Sequence, residues 1–174
     1  VPVEDLKPGD RVLTRDSGAQ EVRWVGMQTV RAEGAFAPIR IAAGALHNVN
    51  DLIVSPNHRL FIYQRISALG VGQRELLVKA GLLVNGTTVT QTPGGFVDYV
   101  QVLFDQHEII YAEGIASESL FADTVTRATL PDAVAERLSA LPPKQAALDA
   151  FELREKDLLR RGDAVEVLRR ISST

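Results

Sequence analysis

Hydrophobic and polar positions along the chain follow two rhythms, which change over near residue 120. Before that point, short runs rich in Val, Ile and Leu alternate with clusters of Gly, Pro, Asp and Asn. The runs cover residues 11–14, 21–26, 39–41, 51–54, 59–63, 87–90, 99–104 and 108–112. Segments of this length and composition, punctuated by turn formers, predict an all-β domain of sandwich or barrel-like type. The clearest turns are Lys7-Pro8-Gly9-Asp10, Val84-Asn85-Gly86-Thr87 and Thr92-Pro93-Gly94-Gly95. There Pro fixes φ, and Gly or Asn accepts a positive one.

After residue 120 the spacing becomes helical. Val134, Leu138 and Leu141 recur behind Pro131, a residue suited to the first turn of a helix. Pro142-Pro143 breaks the pattern. It resumes over residues 144–161 through Ala147, Leu148, Phe151, Leu158 and Leu159, with Gly162 as the expected C-cap. Asp163 is placed to cap a last short helix through Val165, Val167, Leu168 and Ile171. Helices this short are marginal alone, so the tail is expected to pack on the β-domain or on a partner. The chain therefore divides into a β-domain over residues 1–120 and a helical extension over residues 121–174.

One internal echo bears on the architecture. Leu6-x-x-Gly9-x-x-Val12 matches Leu83-x-x-Gly86-x-x-Val89, with Val3 and Ala80 three positions earlier. Each reads as a loop, a glycine turn and a strand, which suggests a domain built from duplicated halves. The plainer alternative is that turn–strand units resemble one another.

Composition removes several function classes. At 174 residues the chain can bury about two-thirds of its unfolded surface, enough for a real core. A net charge of −3 leaves no basic footprint, so nucleic acid is not an expected partner. The absence of cysteine excludes disulfides, thiolate ligands and cysteine nucleophiles within these residues. Three histidines without a close pair do not suggest a zinc site, and no metal is expected. No apolar run approaches the roughly 18–20 residues of a membrane span, and no signal peptide opens the chain. A first residue of Val rather than Met reads as an end left by processing or truncation.

Five segments occur in a telling order. They are Val1-Pro2-Val3-Glu4-Asp5-Leu6-Lys7-Pro8-Gly9-Asp10-Arg11-Val12, Val22-Arg23-Trp24-Val25-Gly26, Pro38-Ile39-Arg40-Ile41, Leu52-Ile53-Val54-Ser55-Pro56-Asn57-His58, and Phe104-Asp105-Gln106-His107-Glu108. Together they resemble the bacterial Hedgehog/intein (Hint) domain family over roughly residues 1–120. The resemblance implies a mainly β Hint fold of pseudo-duplicated halves, followed here by the helical extension. It also implies autoprocessing without a cofactor, with the protein's own flanking polypeptide as substrate. The implied setting is bacterial, secreted or surface-associated.

In the family a Cys or Ser attacks the peptide carbonyl before it and gives a thioester or ester. A resonance-stabilised amide resists this shift, so the site must twist the bond, protonate the departing nitrogen and stabilise the oxyanion. The resemblance implies His58 as the donor to that nitrogen; an ordinary imidazole pKa of about 6.5 permits either protonation state near neutrality. Ser55 stands where the family more often has Thr and would hydrogen-bond the strained amide or the oxyanion. Asp105 and His107 would assist the second step. If their segment is a strand, the two side chains share a face. Val100, Val102 and Phe104 alternate before the pair, whereas Ile109 and Ile110 are adjacent after it, so a bend or bulge is expected there.

Each residue also has a plainer reading. His58 could be a turn histidine, Asp105 an Asx-turn residue and His107 a solvated strand residue. His47 is expected to be exposed in a polar loop, and Trp24 to pack in the core.

Two departures from the family pattern shape the expectation. Residue 1 is not a nucleophile, and relatives carry theirs on a strand about a dozen positions upstream, so the chain is expected to be N-terminally truncated. Ala116-Ser117-Glu118-Ser119 stands where splicing relatives have His-Asn, so excision by asparagine cyclisation is not expected. The leading expectation is a fragment of a module that cleaves by N-terminal acyl shift, inactive as this chain. An unpaired edge or the helical tail would favour dimerisation. The alternative is a Hint-fold scaffold or binding module without processing. A conventional hydrolase using Ser55 and His58 is weaker, because no nucleophile elbow is present.

Overall fold

The computed structural model describes residues 1–63, 75–119 and 164–171, together with Asp132 and Glu136. The described strands are β1 (Arg11–Leu13), β2 (Ala19–Glu21), β3 (Trp24–Arg31), β4 (Ile39–Ile41), β5 (Leu52–Val54) and β6 (Arg59–Tyr63). They continue with β7 (Glu75–Lys79), β8 (Val89–Gln91), β9 (Phe96–Leu103), β10 (Ile109–Ala112) and β11 (Ile115–Glu118). Helix α1 (Ala164–Ile171) follows. Single 3-10 turns cover Val3–Asp5, Gly34–Phe36 and Ala80–Leu83. The domain is mainly β, as the run spacing predicts.

The pairing is antiparallel throughout. β3 and β9 form a long ribbon from Trp24↔Leu103 to Arg31↔Phe96. β5, β4 and β8 make one sheet, β10, β11, β6 and β7 another, and β1 pairs with β2. This topology repeats itself about the centre of the ribbon. The β4–β5 hairpin in the first half matches the β10–β11 hairpin in the second. The β8–β4 pairing matches the Thr14↔Ile110 bridge that joins the end of β1 to β10. Both arms of the sequence echo fold alike. Each has a 3-10 turn, a glycine in the left-handed region (Gly9 at φ 98°, Gly86 at φ 77°) and a three-residue strand. The halves are therefore duplicated in connectivity as well as in three matching residues.

Several boundaries differ from the sequence pattern, each for a visible reason. The expected strand over residues 21–26 is split. Val22 N–H bonds the carbonyl of Asp10 and Arg23 N–H that of Leu103, so the chain crosses there from the β1–β2 hairpin to the ribbon. β7 escaped the pattern because Leu76, Leu77 and Val78 are all buried and show no alternation. β11 escaped it because Ser117 and Glu118 are polar residues turned inward. Trp24 is half-buried rather than in the core. Its indole lies over Gly26, where a Cβ would collide with the ring.

The main core lies among the β5–β4–β8 sheet, β6 and β7, with Ile39, Ile41, Leu60, Ile62, Leu76 and Val78 at its centre. Helix α1 belongs to this core through Val165, Val167 and Leu168. Burying one such aliphatic side chain contributes about 1.5–3 kcal/mol, ample to hold a helix that is marginal alone. His47 is exposed, as expected, and its Nε2 also lies 2.7 Å from the carbonyl oxygen of Arg169 near the end of α1. The last predicted helix is thus present and packed on the β-domain. The other expected helices lie outside the described residues, apart from Asp132 and Glu136, which are helical and exposed. Phe61, Leu77 and Ile109 form a smaller cluster, and Arg15 covers the Phe61 ring at 4.2 Å. Among the described residues no helix is long and apolar enough to cross a membrane.

Candidate active site

Ser55 to His58 form the corner between β5 and β6. His58 N–H reaches the Ser55 carbonyl at 3.1 Å, closing a turn with Pro56 in the position where its fixed φ helps. The 3-10 turn at Ala80–Leu83 clamps this corner. Ala80 N–H bonds the His58 carbonyl and Gly81 N–H the Pro56 carbonyl, both at 2.9 Å. The approach is close at Gly81, where a Cβ would stand 3.1 Å from the Pro56 oxygen and the corner would have to give by a few tenths of an ångström. The corner is rigid, and it places His58 at the root of β6. Ser55 is half-buried, and its hydroxyl makes no side-chain hydrogen bond among the described residues.

His58 is held as a neutral base. Its Nε2 is buried without a hydrogen-bond partner among the described residues. Burial pushes its pKa below the ordinary imidazole value; the Glu118 carboxylate opposes this in part, while Arg59 and His107 push it further down. Those three neighbours define the rest of the site.

Arg59 follows His58 on β6, and its side chain is fully buried. It meets Glu118 of β11 with Nε to Oε1 at 2.8 Å and Nη2 to Oε2 at 2.9 Å, and its backbone N–H reaches Oε1 at 3.2 Å. The Ser117↔Leu60 pairing between β11 and β6 sets this juxtaposition. His107, only 5% exposed, approaches the same carboxylate with Nε2 3.2 Å from Oε2. That is ion-pair distance without full hydrogen-bond alignment, and neither ring nitrogen of His107 has another partner among the described residues. Burial pushes the Glu118 carboxyl up, but the contacts with His107 and Arg59 outweigh it and hold the pKa below the ordinary value. Glu118 is therefore a carboxylate at neutral pH.

The stretch around Asp105 and His107 is not a strand. β9 ends at Leu103, the chain bends at residues 105 and 106, and β10 starts at Ile109. The broken apolar phase marks this bend, so the two side chains do not share a face. Asp105 lies on the surface, gripped by Arg23 at 3.0 and 2.9 Å. His107 turns inward instead of being solvated. Its neighbour Glu108 anchors it: Glu108 N–H bonds Ser119 Oγ at 3.0 Å, Ser119 N–H bonds the Glu108 carbonyl at 2.8 Å, and Ser17 donates to the Glu108 carboxylate at 3.1 Å.

The structure thus brings His58 and His107 into one buried group and places Ser55 on the same corner as His58. It leaves Asp105 outside. Arg59 and Glu118 join the group without having been singled out by sequence. A signal was present for Arg59, a charge inside Leu-Ile-Val-…-Arg-Leu-Phe-Ile where a core residue belongs. Among the described residues, no three His, Asp or Glu side chains are arranged to hold a metal ion.

No curated protein and no solved structure matches the chain. A family model does: that of the Hint domain aligns with residues 1–124, which include the whole β-domain and every residue of this site. By that match, and with the duplicated β-architecture it accompanies, the chain belongs to the Hint domain family.

Proposed function

We propose that this Hint domain supports autoprocessing by an N-terminal acyl shift, acting on the polypeptide ahead of Val1. The observation that carries this reading is the buried Nε2 of His58, unpartnered among the described residues, on a turn that also carries Ser55. A neutral imidazole can accept the proton of an attacking thiol or hydroxyl and then deliver it to the amide nitrogen as the C–N bond breaks. The depressed pKa of His58 suits this shuttle, because at neutral pH its lone pair is available. Ser55 would hydrogen-bond the carbonyl oxygen as negative charge develops on it.

The attacking residue is a Cys or Ser upstream of these residues, which contain no cysteine. The substrate is the protein's own flanking polypeptide. The test is intact mass of the parent protein expressed with its upstream segment, beside the same protein carrying His58→Ala. A new end just before an upstream Cys or Ser, abolished in the variant, supports processing. Two intact proteins, with and without thiol across pH 6–8, would mean a Hint scaffold without processing.

A further inference from the structure

We propose that Glu118, rather than Asp105, is the carboxylate partner of His107, and that Glu118 held by Arg59 fixes His107 as the Nε2–H tautomer with Nδ1 as its basic nitrogen. This rests on the autoprocessing reading for its chemical consequence, but not for its structural content. Three observations lead to it. The carboxylate two residues before it, Asp105, is turned to the surface and engaged by Arg23, and that of the adjacent Glu108 accepts a hydrogen bond from Ser17. Glu118 is fully buried and stands 3.2 Å from His107 Nε2. The guanidinium of Arg59 meets both carboxylate oxygens, so the carboxylate cannot rotate away.

The carboxylate oxygen 3.2 Å from Nε2 favours the tautomer that carries its proton there, leaving the lone pair on Nδ1. Nδ1 is buried and has no partner among the described residues. Buried polar atoms are nearly always hydrogen-bonded, and the exceptions concentrate where chemistry occurs. An imidazole oriented by a buried carboxylate on one nitrogen, with the other free to take a proton, is the arrangement of a general base. Glu118 is then a positioning residue: it acts through His107 and touches no reacting atom itself.

The step this arrangement serves is resolution of the ester or thioester left by the acyl shift. Nδ1 removes a proton from water while the water oxygen bonds to the acyl carbon. The bond from that carbon to the nucleophile's oxygen or sulfur then breaks, and the departing atom takes the proton back from Nδ1. The products are a carboxylic acid and the regenerated nucleophile, and no oxidant or metal enters the balance.

The test is side-chain nitrogen NMR on the full chain, with the three histidines assigned by single His→Gln replacements. The native protein should show His107 with a pyrrole-like Nε2 and a pyridine-like Nδ1. The double variant Arg59→Met/Glu118→Leu removes both buried charges together, so the fold should be kept while the acceptor is lost. In it the His107 signals should move toward a mixture of tautomers. Glu118→Gln keeps an acceptor oxygen and should largely restore the native pattern, and Asp105→Asn should leave it unchanged. A native His107 protonated on Nδ1 overturns the proposal even if no variant folds. So does a His107 pattern that follows Asp105→Asn instead of the double variant.

In the parent protein with its upstream segment, the double variant should accumulate the ester, with resolution slowed by up to the roughly 10²–10⁴-fold that general-base catalysis supplies. Ester resolved at the native rate removes His107 from the step and overturns the proposal. A parent that never cleaves, in a protein whose His107 tautomer follows Glu118, overturns the processing reading and leaves the Glu118–His107 pairing standing.

Discussion

Two arginine–carboxylate pairs in this domain have nearly the same geometry and opposite surroundings. Arg23 holds Asp105 through Nε at 3.0 Å and Nη2 at 2.9 Å; Arg59 holds Glu118 through the same two atoms at 2.8 and 2.9 Å. The first pair is 37% and 63% exposed, the second 0% and 0%. By distance alone the two pairs are nearly equal. Water decides otherwise: an exposed pair exchanges one good environment for another, whereas a buried pair has lost its hydration and depends on its partner. The same contrast separates function. A carboxylate in solvent cannot hold an imidazole in one orientation, and one locked by a buried guanidinium can.

The largest expected effect comes from breaking only one half of the buried pair. Glu118→Ala leaves the Arg59 charge without this counter-ion and should cost about 3–5 kcal/mol of stability. That would appear as a lower urea midpoint at an unchanged denaturant slope. Replacing both partners with apolar residues, as in Arg59→Met/Glu118→Leu, should recover most of that loss, because no charge is left to desolvate. A double variant as unstable as Glu118→Ala would show that shape and not charge makes this pair matter, and the comparison would lose its basis.

A smaller effect follows from pH. Because burial lowers the pKa of His58 in the folded protein, the unfolded chain binds a proton at this residue before the folded one does. Stability from this residue is therefore fully present above its ordinary value of 6.5 and is lost as pH falls below it. Glu118 adds a second loss, starting below its ordinary 4.5, since its folded pKa is also lowered. Melting temperatures between pH 8 and pH 5 should decline in the native protein and decline less in His58→Gln. At the alkaline end the sign reverses. Tyr99, pushed up to about 12 by burial and bonded to the Phe36 carbonyl, gives stability that is complete below pH 10 and lost as pH rises toward 12. Tyr99→Phe should flatten that limb. Parallel acid limbs for native protein and His58→Gln would mean that the buried group does not feel its surroundings as described.

Much of the fold was legible in the sequence, and the reason lies in what strands advertise. β4 and β6 coincide with their apolar runs, and turn formers precede each of them, Pro38 before β4 and Ser55-Pro56-Asn57 before β6. The repeat was legible in Leu6, Gly9 and Val12 against Leu83, Gly86 and Val89, because a positive φ after a short turn demands glycine. The site was half legible. Ser55 and His58 sit in one local turn, so a four-residue motif carries both. His107 was legible as a residue but not in its direction, since the alternation that predicts a shared face with Asp105 fails where the strand ends at Leu103. Glu118 was hidden for a different reason. Its partner Arg59 comes from a distant segment through the β11–β6 pairing, and nothing local to Ala116-Ser117-Glu118-Ser119 announces a buried charge.

The smallest expected effect is the sharpest for the comparison. Asp105→Asn removes a charge from the surface pair while keeping the side chain's shape and one acceptor oxygen. Arg23 retains a second carboxylate, Glu21, at 2.8 Å, so it is not left without a counter-ion. Exposed charges are screened over about 8–10 Å at ordinary ionic strength, and water replaces what the pair loses. The unfolding midpoint should not move measurably at moderate salt, and any difference seen at low salt should vanish as salt is raised. In the parent protein with its upstream segment, cleavage should proceed at the native rate. A folded Asp105→Asn protein that fails to cleave would return Asp105 to the chemistry. The surface position in which Arg23 holds it would then be a resting arrangement that must open before His107 can act.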